Sequence, residues 1–174
     1  MGHVTEGATT RAGVLTVSDG AARGERVDHS GDLAAQRLTT LPASVTWRRV
    51  VGDDPPAIHA AVVAAAEATD LLVVTGGTGL GPRDVTPQTI RPLLDYEAPG
   101  LAEVMRARGL AHTPHAMLSR EVTGVRGRCL VLALPGSPAA VDDCLDAVWA
   151  ALPHALALLR GETAHHAPAH GSAA

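Results

Sequence analysis

The sequence predicts an α/β fold, a mostly parallel β-sheet with helices on both of its faces. Three observations predict it. Short apolar runs, each ending in a glycine-rich or polar turn, alternate with stretches of helical spacing. The runs are apolar nearly throughout, as strands covered on both faces are. The packing material is small: the 174 residues include no Phe and only 2% aromatics, so Ala, Val and Leu must fill the core, and small residues suit close contact between helix and sheet. That length fits one domain, and 46% hydrophobic residues are enough to build its interior.

The elements follow in order. Residues 1–11 read as a polar, flexible N-terminus, residues 12–161 as the single folded domain, and residues 162–174 as a disordered tail rich in His and Ala. Gly13 to Val17 is a buried strand that stops at the turn Ser18-Asp19-Gly20, and Ala21 to Gly31 is a charged loop. Asp32 to Leu38 has helical spacing. Ser44 to Val51, with its β-branched residues, is a strand broken by Gly52-Asp53-Asp54-Pro55-Pro56. From Ala57 to Ala68, Ile58, Ala61, Val62 and Ala65 recur at helical intervals, with Asp54 placed to cap and two prolines in the first turn. Asp70 to Thr75 is the cleanest buried strand and ends at Gly76-Gly77-Thr78-Gly79-Leu80-Gly81. Thr86-Pro87 reads as cap and first residue of the next helix, and a further helix runs from Gly100 to Leu110. The segment from Leu118 to Val125 stands between strand and loop. Arg128 to Leu134 is a strand closed by Pro135-Gly136, and Ser137-Pro138 opens one long helix to Leu159 with Gly161 as its stop.

Composition excludes several functions. All 14 basic residues are Arg. Without Lys there is no Schiff-base chemistry, no pyridoxal-phosphate attachment and no Walker A loop. Phosphate must be handled by backbone N–H groups, by Arg or by a metal. A net charge of −4 and an isoelectric point of about 6.1 argue against a nucleic-acid partner. No apolar run approaches 18 residues, and Met1 to Arg11 lacks the apolar stretch of a secretory signal, so a cytoplasmic protein with no membrane segment is expected. Cys129 and Cys144 lack metal or redox spacing and read as buried, reduced thiols. His112 and His115 have no carboxylate in register to complete a zinc site, nor do His165, His166 and His170 in the tail.

In parallel sheets, ligands bind beyond the carboxyl ends of the strands. Four such ends carry turns fit for chemistry: Ser18-Asp19-Gly20, Gly52-Asp53-Asp54, Thr75 to Gly79, and Pro135-Gly136-Ser137-Pro138. The Gly76 to Gly81 loop suits an oxyanion, because glycines let backbone N–H groups approach a ligand. It is not a dinucleotide fingerprint, since Asp84 stands where the last glycine belongs. Asp53, Asp54 and Asp84 are loop carboxylates that could hold Mg²⁺ beside a polyphosphate, Asp54 being also the better helix cap. Ser137 has a capping role of its own. Arg83 and Arg120 are able to reach phosphate or to stay at the surface. No Gly-x-Ser-x-Gly elbow is present, which removes the usual serine hydrolase.

Taken together, Leu15-Thr-Val-Ser-Asp19, His29-Ser-Gly31, Val50-Val-Gly-Asp-Asp54, Thr75-Gly-Gly-Thr-Gly79, Pro82-Arg-Asp-Val-Thr-Pro87, Ala116-Met-Leu-Ser-Arg120, Gly127-Arg128 and Leu134-Pro-Gly-Ser-Pro138 resemble the Mog/MoaB family of molybdopterin adenylyltransferases, which includes the gephyrin G domain. The resemblance implies a three-layer α/β/α domain that assembles as a homotrimer. It implies adenylyl transfer from Mg-ATP to molybdopterin, with hand-over to a molybdenum-inserting enzyme. It matches Asp53 and Asp84 to the catalytic, metal-holding aspartates and Ser119 to a serine near the pterin. The substrate-binding set becomes Ser18, Asp19, Thr75, Gly76, Gly77, Thr78, Gly79, Ser119, Pro135, Gly136 and Ser137. Where relatives often carry Pro-Asp-Glu, this chain has Gly52-Asp53-Asp54, so Asp54 stands as a second candidate ligand. The alternative function is a pterin carrier or scaffold of the same fold.

Overall fold

The computed structural model describes residues 9–162. Six strands form one sheet: β1 (Thr10–Val17), β2 (Ala43–Val51), β3 (Leu71–Thr75), β4 (Tyr96–Glu97), β5 (Val122–Arg126) and β6 (Cys129–Leu134), in the order β2-β1-β3-β6-β5-β4. The first four in that order are parallel; β5 pairs antiparallel with β6, and β4 antiparallel with β5. Every residue of β3 and β6 is buried, as expected of runs that are apolar but for Thr75 at the end of β3. The edge strand β2 alternates and is half exposed.

The helices are α1 (Asp19–Ala22), α2 (His29–Leu38), α3 (Pro55–Ala68), α4 (Thr86–Ile90), α5 (Pro99–Leu110), α6 (Pro138–Val148) and α7 (Leu152–Leu159). The period of two along the strands splits the core in half. Val14, Val73, Leu132 and Leu134 pack with α2, α5, α6 and α7 on one face. Leu15, Val17, Val74 and Val131 pack with α3 and Ile90 of α4 on the other. The domain is thus three-layered, as the resemblance implies.

Five details differ from the sequence reading. Thr10 and Arg11 are not in a loose N-terminus but open β1, where Arg11 bonds Asp70 at 2.8 Å. The loop of residues 21–31 is shorter, because Ser18 caps α1 and Asp28 caps α2, accepting the Gly31 N–H at 2.9 Å. The stretch from Leu118 resolves into a 3-10 turn and an antiparallel strand whose hairpin turns at Gly127, φ +60°. The long C-terminal helix is two: a 3-10 turn at Trp149–Ala151 separates α6 from α7, whose first turn holds Pro153, a residue with no N–H to continue the preceding ladder. Finally, Thr86 does not cap α4. Val85 holds the cap position, Thr86 is the first helical residue, and the Thr86 hydroxyl makes no hydrogen bond among the described residues.

Gly161 ends α7 at φ +80°, with the N–H groups of Gly161 and Glu162 donating to the carbonyls of Leu158 and Ala157, both at 2.9 Å. Glu162 therefore belongs to the helix stop. The rest of the expected flexible ends, residues 1–8 and 163–174, lies outside the described residues. No helix among the described residues is long and apolar enough to cross a membrane.

Candidate active site

The carboxyl ends of β1, β2, β3 and β6 meet on one rim, because the four strands are parallel and adjacent. Main-chain bonds lock the turns together: Ser18 N–H to the Val51 carbonyl at 2.9 Å and Gly76 N–H to the Leu134 carbonyl at 3.1 Å. The Thr75 hydroxyl donates to the Pro135 carbonyl at 2.9 Å. The loops then approach so closely that side chains are forbidden. Gly76 holds φ at +102°, and a Cβ there would collide with the Val17 carbonyl, while a Cβ on Gly136 would lie 3.1 Å from the Gly76 Cα. The N–H groups of Gly77, Thr78 and Gly79 donate to no protein acceptor among the described residues.

A cavity of about 340 Å³ opens on this rim. Ser18, Thr75, Gly76, Gly77 and Gly136 line it, and so do Asp53 and Asp84. One oxygen of each carboxylate is fixed: Asp53 Oδ2 accepts the Asp19 N–H at 2.9 Å, and Asp84 Oδ2 accepts the Gly81 N–H at 2.8 Å. The Oδ1 atoms receive no hydrogen bond from the described residues. Asp54 turns away and caps α3, accepting the Ala57 N–H at 3.0 Å. Of the two neighbouring carboxylates, Asp53 therefore belongs to the cavity and Asp54 to the helix.

Asp19 does not line the cavity. Its Oδ1 accepts the Asp53 N–H at 2.9 Å, which makes the pair reciprocal, and Arg83 grips its carboxylate at 2.7 Å. The Asp53 N–H first, and Arg83 next, hold the Asp19 carboxyl below its ordinary range. Arg120 likewise serves the loop and not a phosphate. Its Nε donates to the Gly79 carbonyl at 2.9 Å and its Nη2 to the Asp84 carbonyl at 2.6 Å. No cluster of three or more His, Cys, Asp or Glu side chains that would hold a metal exists among the described residues. Two open carboxylate oxygens suit Mg²⁺, which usually takes one or two carboxylates and completes its shell with water and substrate phosphate.

Ser119, Pro135 and Ser137 line a second cavity of about 320 Å³. The Pro135–Pro138 loop is the wall between the two cavities, with Gly136 and Pro138 facing the first. Met105, Ala116, Ala140 and Cys144 make the second one apolar, and Glu121 is its buried acid. Burial pushes the Glu121 carboxyl above its ordinary range, against the opposing pull of Arg106 at 3.5 Å. Thr78 and Gly79 line neither cavity. Thr78 Oγ1 lies 3.2 Å from Ser119 Oγ and joins the glycine loop to the second cavity.

Arg26, Asp28, His29 and Ser30 also line the first cavity; sequence reasoning passed over Arg26 and Asp28 and, though His29-Ser-Gly31 belongs to the motif, gave His29 and Ser30 no place in the site. The signal for Asp28 was available, as an aspartate three residues before Gly31 has the spacing of a cap. Glu121 carried no signal. A larger cavity, about 810 Å³, lies at the opposite end of the strands near Arg11 and Asp70. It has no glycine cradle, and Arg11 is paired with Asp70 at 2.8 Å. The smaller rim cavity holds the glycine turns and both open carboxylates.

A family profile described as "probable molybdopterin binding domain" matches residues 13–154. A molybdenum cofactor biosynthesis bifunctional protein of Synechococcus elongatus is 42% identical over 151 residues, which cover 86% of this chain and 47% of that protein. The chain thus spans about half the length of that relative. The molybdopterin adenylyltransferase of Helicobacter pylori is 34% identical over 157 residues, 88% of this chain and 89% of that protein. The crystal structure of the molybdopterin biosynthesis enzyme MoaB of Thermus thermophilus is similar at a TM-score of 0.81 and 50% identity, over 87% of this chain and 97% of that one. With this sheet, these loops and matches along most of its length, the chain belongs to the molybdopterin-binding domain family of the Mog/MoaB type.

Proposed function

We propose that the chain transfers the adenylyl group of ATP to molybdopterin, giving adenylylated molybdopterin and pyrophosphate. One observation carries this reading: two cavities of about 340 and 320 Å³ share the Pro135–Pro138 loop, one open to Asp53 and Asp84, the other apolar and bounded by Ser119. That is a site for two substrates, a polyphosphate beside a flat heterocycle. The family membership and the name of the Helicobacter relative point the same way.

In the reaction, a terminal phosphate oxygen of molybdopterin attacks the α-phosphorus of ATP. The new P–O–P link forms as the bond to the β-phosphate oxygen breaks, and pyrophosphate leaves. The N–H group of Gly77, which lines the first cavity, binds a phosphate oxygen, and the Arg120 clamp keeps the glycine loop in place. Asp53 and Asp84 would hold Mg²⁺ by their open oxygens, and Mg²⁺ supplies charge neutralisation at the phosphates. Asp19 orients Asp53 through the reciprocal bond, and Ser119 orients the pterin end. Such transfer is mostly positioning and electrostatics, so a site without Lys is adequate. A pure carrier has no use for two open carboxylates in its nucleotide cavity, which disfavours the scaffold reading.

A homotrimer, hand-over to a molybdenum-inserting enzyme and a cytoplasmic location belong to the same proposal. The two buried free thiols are in keeping with a reducing compartment. The test is direct. The protein with molybdopterin, ATP and Mg²⁺ should yield adenylylated pterin and pyrophosphate, and Asp84→Ala should lower the rate by about 100-fold or more, as losing one electrostatic stabiliser does. Pterin binding with no product, or full activity in Asp84→Ala, rejects the reading.

A further inference from the structure

Two buried side-chain oxygens among the described residues lack a hydrogen-bond partner, Thr86 Oγ1 and Glu121 Oε2. Glu121 Oε2 at least faces the Arg106 guanidinium at 3.5 Å. Thr86 Oγ1 makes no hydrogen bond among the described residues, and Thr86 is 0% exposed. A buried hydroxyl without a partner destabilises a fold that valine, of the same shape, would not. Capping does not explain it, since Val85 holds the cap position and the Thr86 hydroxyl bonds no N–H group.

The location of the hydroxyl identifies its partner. The Thr86 N–H donates to the Gly77 carbonyl at 3.1 Å, which ties the start of α4 beneath the glycine turn. A Cβ added to Gly77 would collide with Thr86 Oγ1 and stand 3.1 Å from Asp53 Oδ1. The two oxygens therefore converge on one small recess. It stays open because Gly77, at φ +64°, has no side chain to fill it. Asp53 is held through Oδ2 alone, by the Asp19 N–H at 2.9 Å. A carboxylate gripped at one oxygen can still turn about its terminal torsion, which is broad. One donor to the other oxygen stops that rotation. Oδ1 has two lone pairs, so it can accept a hydroxyl and still face a cation.

We propose that Thr86 is a positioning residue for the transfer. Its hydroxyl donates to Asp53 Oδ1 when the nucleotide and its cation enter the cavity, and it sets the direction in which that carboxylate points. The hydroxyl is kept unpartnered in the free protein for this purpose. The rate effect rests on the adenylyltransferase reading; the effect on cation binding does not.

Thr86→Val and Thr86→Ser in the full chain test this by three readouts. These are the thermal midpoint, Mn²⁺ affinity by paramagnetic resonance with and without ATP, and the rate of adenylylated product. Thr86→Val should keep or raise the midpoint, since it removes an unsatisfied group and no bond. Its Mn²⁺ affinity should fall by about 10-fold, the lower end for loss of a group that orients a metal ligand. Its kcat should fall with that affinity while the KM for pterin holds, and Thr86→Ser should match the wild type in all three. Wild-type Mn²⁺ affinity in Thr86→Val overturns the proposal. So does a midpoint several degrees lower than that of Thr86→Ser, because the hydroxyl would then have a structural partner. If Thr86→Val does not fold, Thr86→Ala against Thr86→Ser gives the same comparison. A wild type that makes no product but whose Mn²⁺ affinity drops in Thr86→Val rejects the reaction and keeps the role of Thr86. An active wild type with an unaffected variant does the reverse.

Discussion

Glu121 is the acid that no sequence signal singled out, and its environment alone decides its behaviour. It lies in the wall of an apolar cavity at 6% exposure, its Oε1 near the Cys144 thiol at 3.7 Å. Burial raises its carboxyl above the ordinary value of 4.5, and Arg106 offsets this in part. The unfolded chain therefore gives up this proton more readily than the folded one. The stability that goes with the protonated form is whole below pH 4.5 and is lost as pH rises through the folded value. Glu121→Gln should remove that loss. Urea unfolding across a pH series should find the variant gaining on the wild type as pH rises from 4.5, with no difference below it. Asp19 shows the opposite limit of sequence reading. Its position on the rim was legible, but its role was not, because a carboxylate held by the Asp53 N–H and Arg83 supports the site from outside the cavity.

Two helix starts were legible because a cap is a contact between residues three apart. Asp54 and Ser137 each sit before a proline and accept the N–H three residues on, at 3.0 and 3.3 Å. Asp54→Ala should cost about 1 kcal/mol, which in a chain of this size lowers the midpoint by roughly 2–4 °C. Because Asp54 faces away from the cavity, adenylylation should stay at the wild-type rate, whereas the same change at Asp53 should abolish it. Calorimetry beside the product assay separates the two residues. Thr86 has the same Thr-Pro signature and was read as a cap for the same reason. It failed because Val85 takes the cap position and Thr86 is drawn under the glycine loop. The break between α6 and α7 was also present in the sequence, as Pro153. The continuous apolar spacing across it hid the break.

At the scale of the molecule, the two cavities are separable. Ala140, on α6, lines only the second. Ala140→Leu should fill part of it and weaken pterin binding by about 10-fold or more, the scale at which a pocket discriminates small changes in apolar bulk. ATP binding in the first cavity should be unchanged, and separate titrations of the two ligands check this. Equal loss of both ligands would mean that the cavities do not divide the substrates.

The sequence by itself determined the strand and helix alternation, the glycine turns at the strand ends and a site free of Lys. These are local properties, set by which side chains neighbour one another along the chain. Only the tertiary structure decided that Asp53 and not Asp54 faces the cavity, that Asp19 and Arg120 brace the loops, that the sheet ends in two antiparallel pairings, and that the Thr86 hydroxyl is left without a partner among the described residues. Those outcomes depend on the strand order β2-β1-β3-β6-β5-β4, which brings residues near 18, 53, 77, 84 and 136 to one rim. Contacts between segments so far apart in sequence are set by packing across the sheet, and no periodicity within a single segment encodes them.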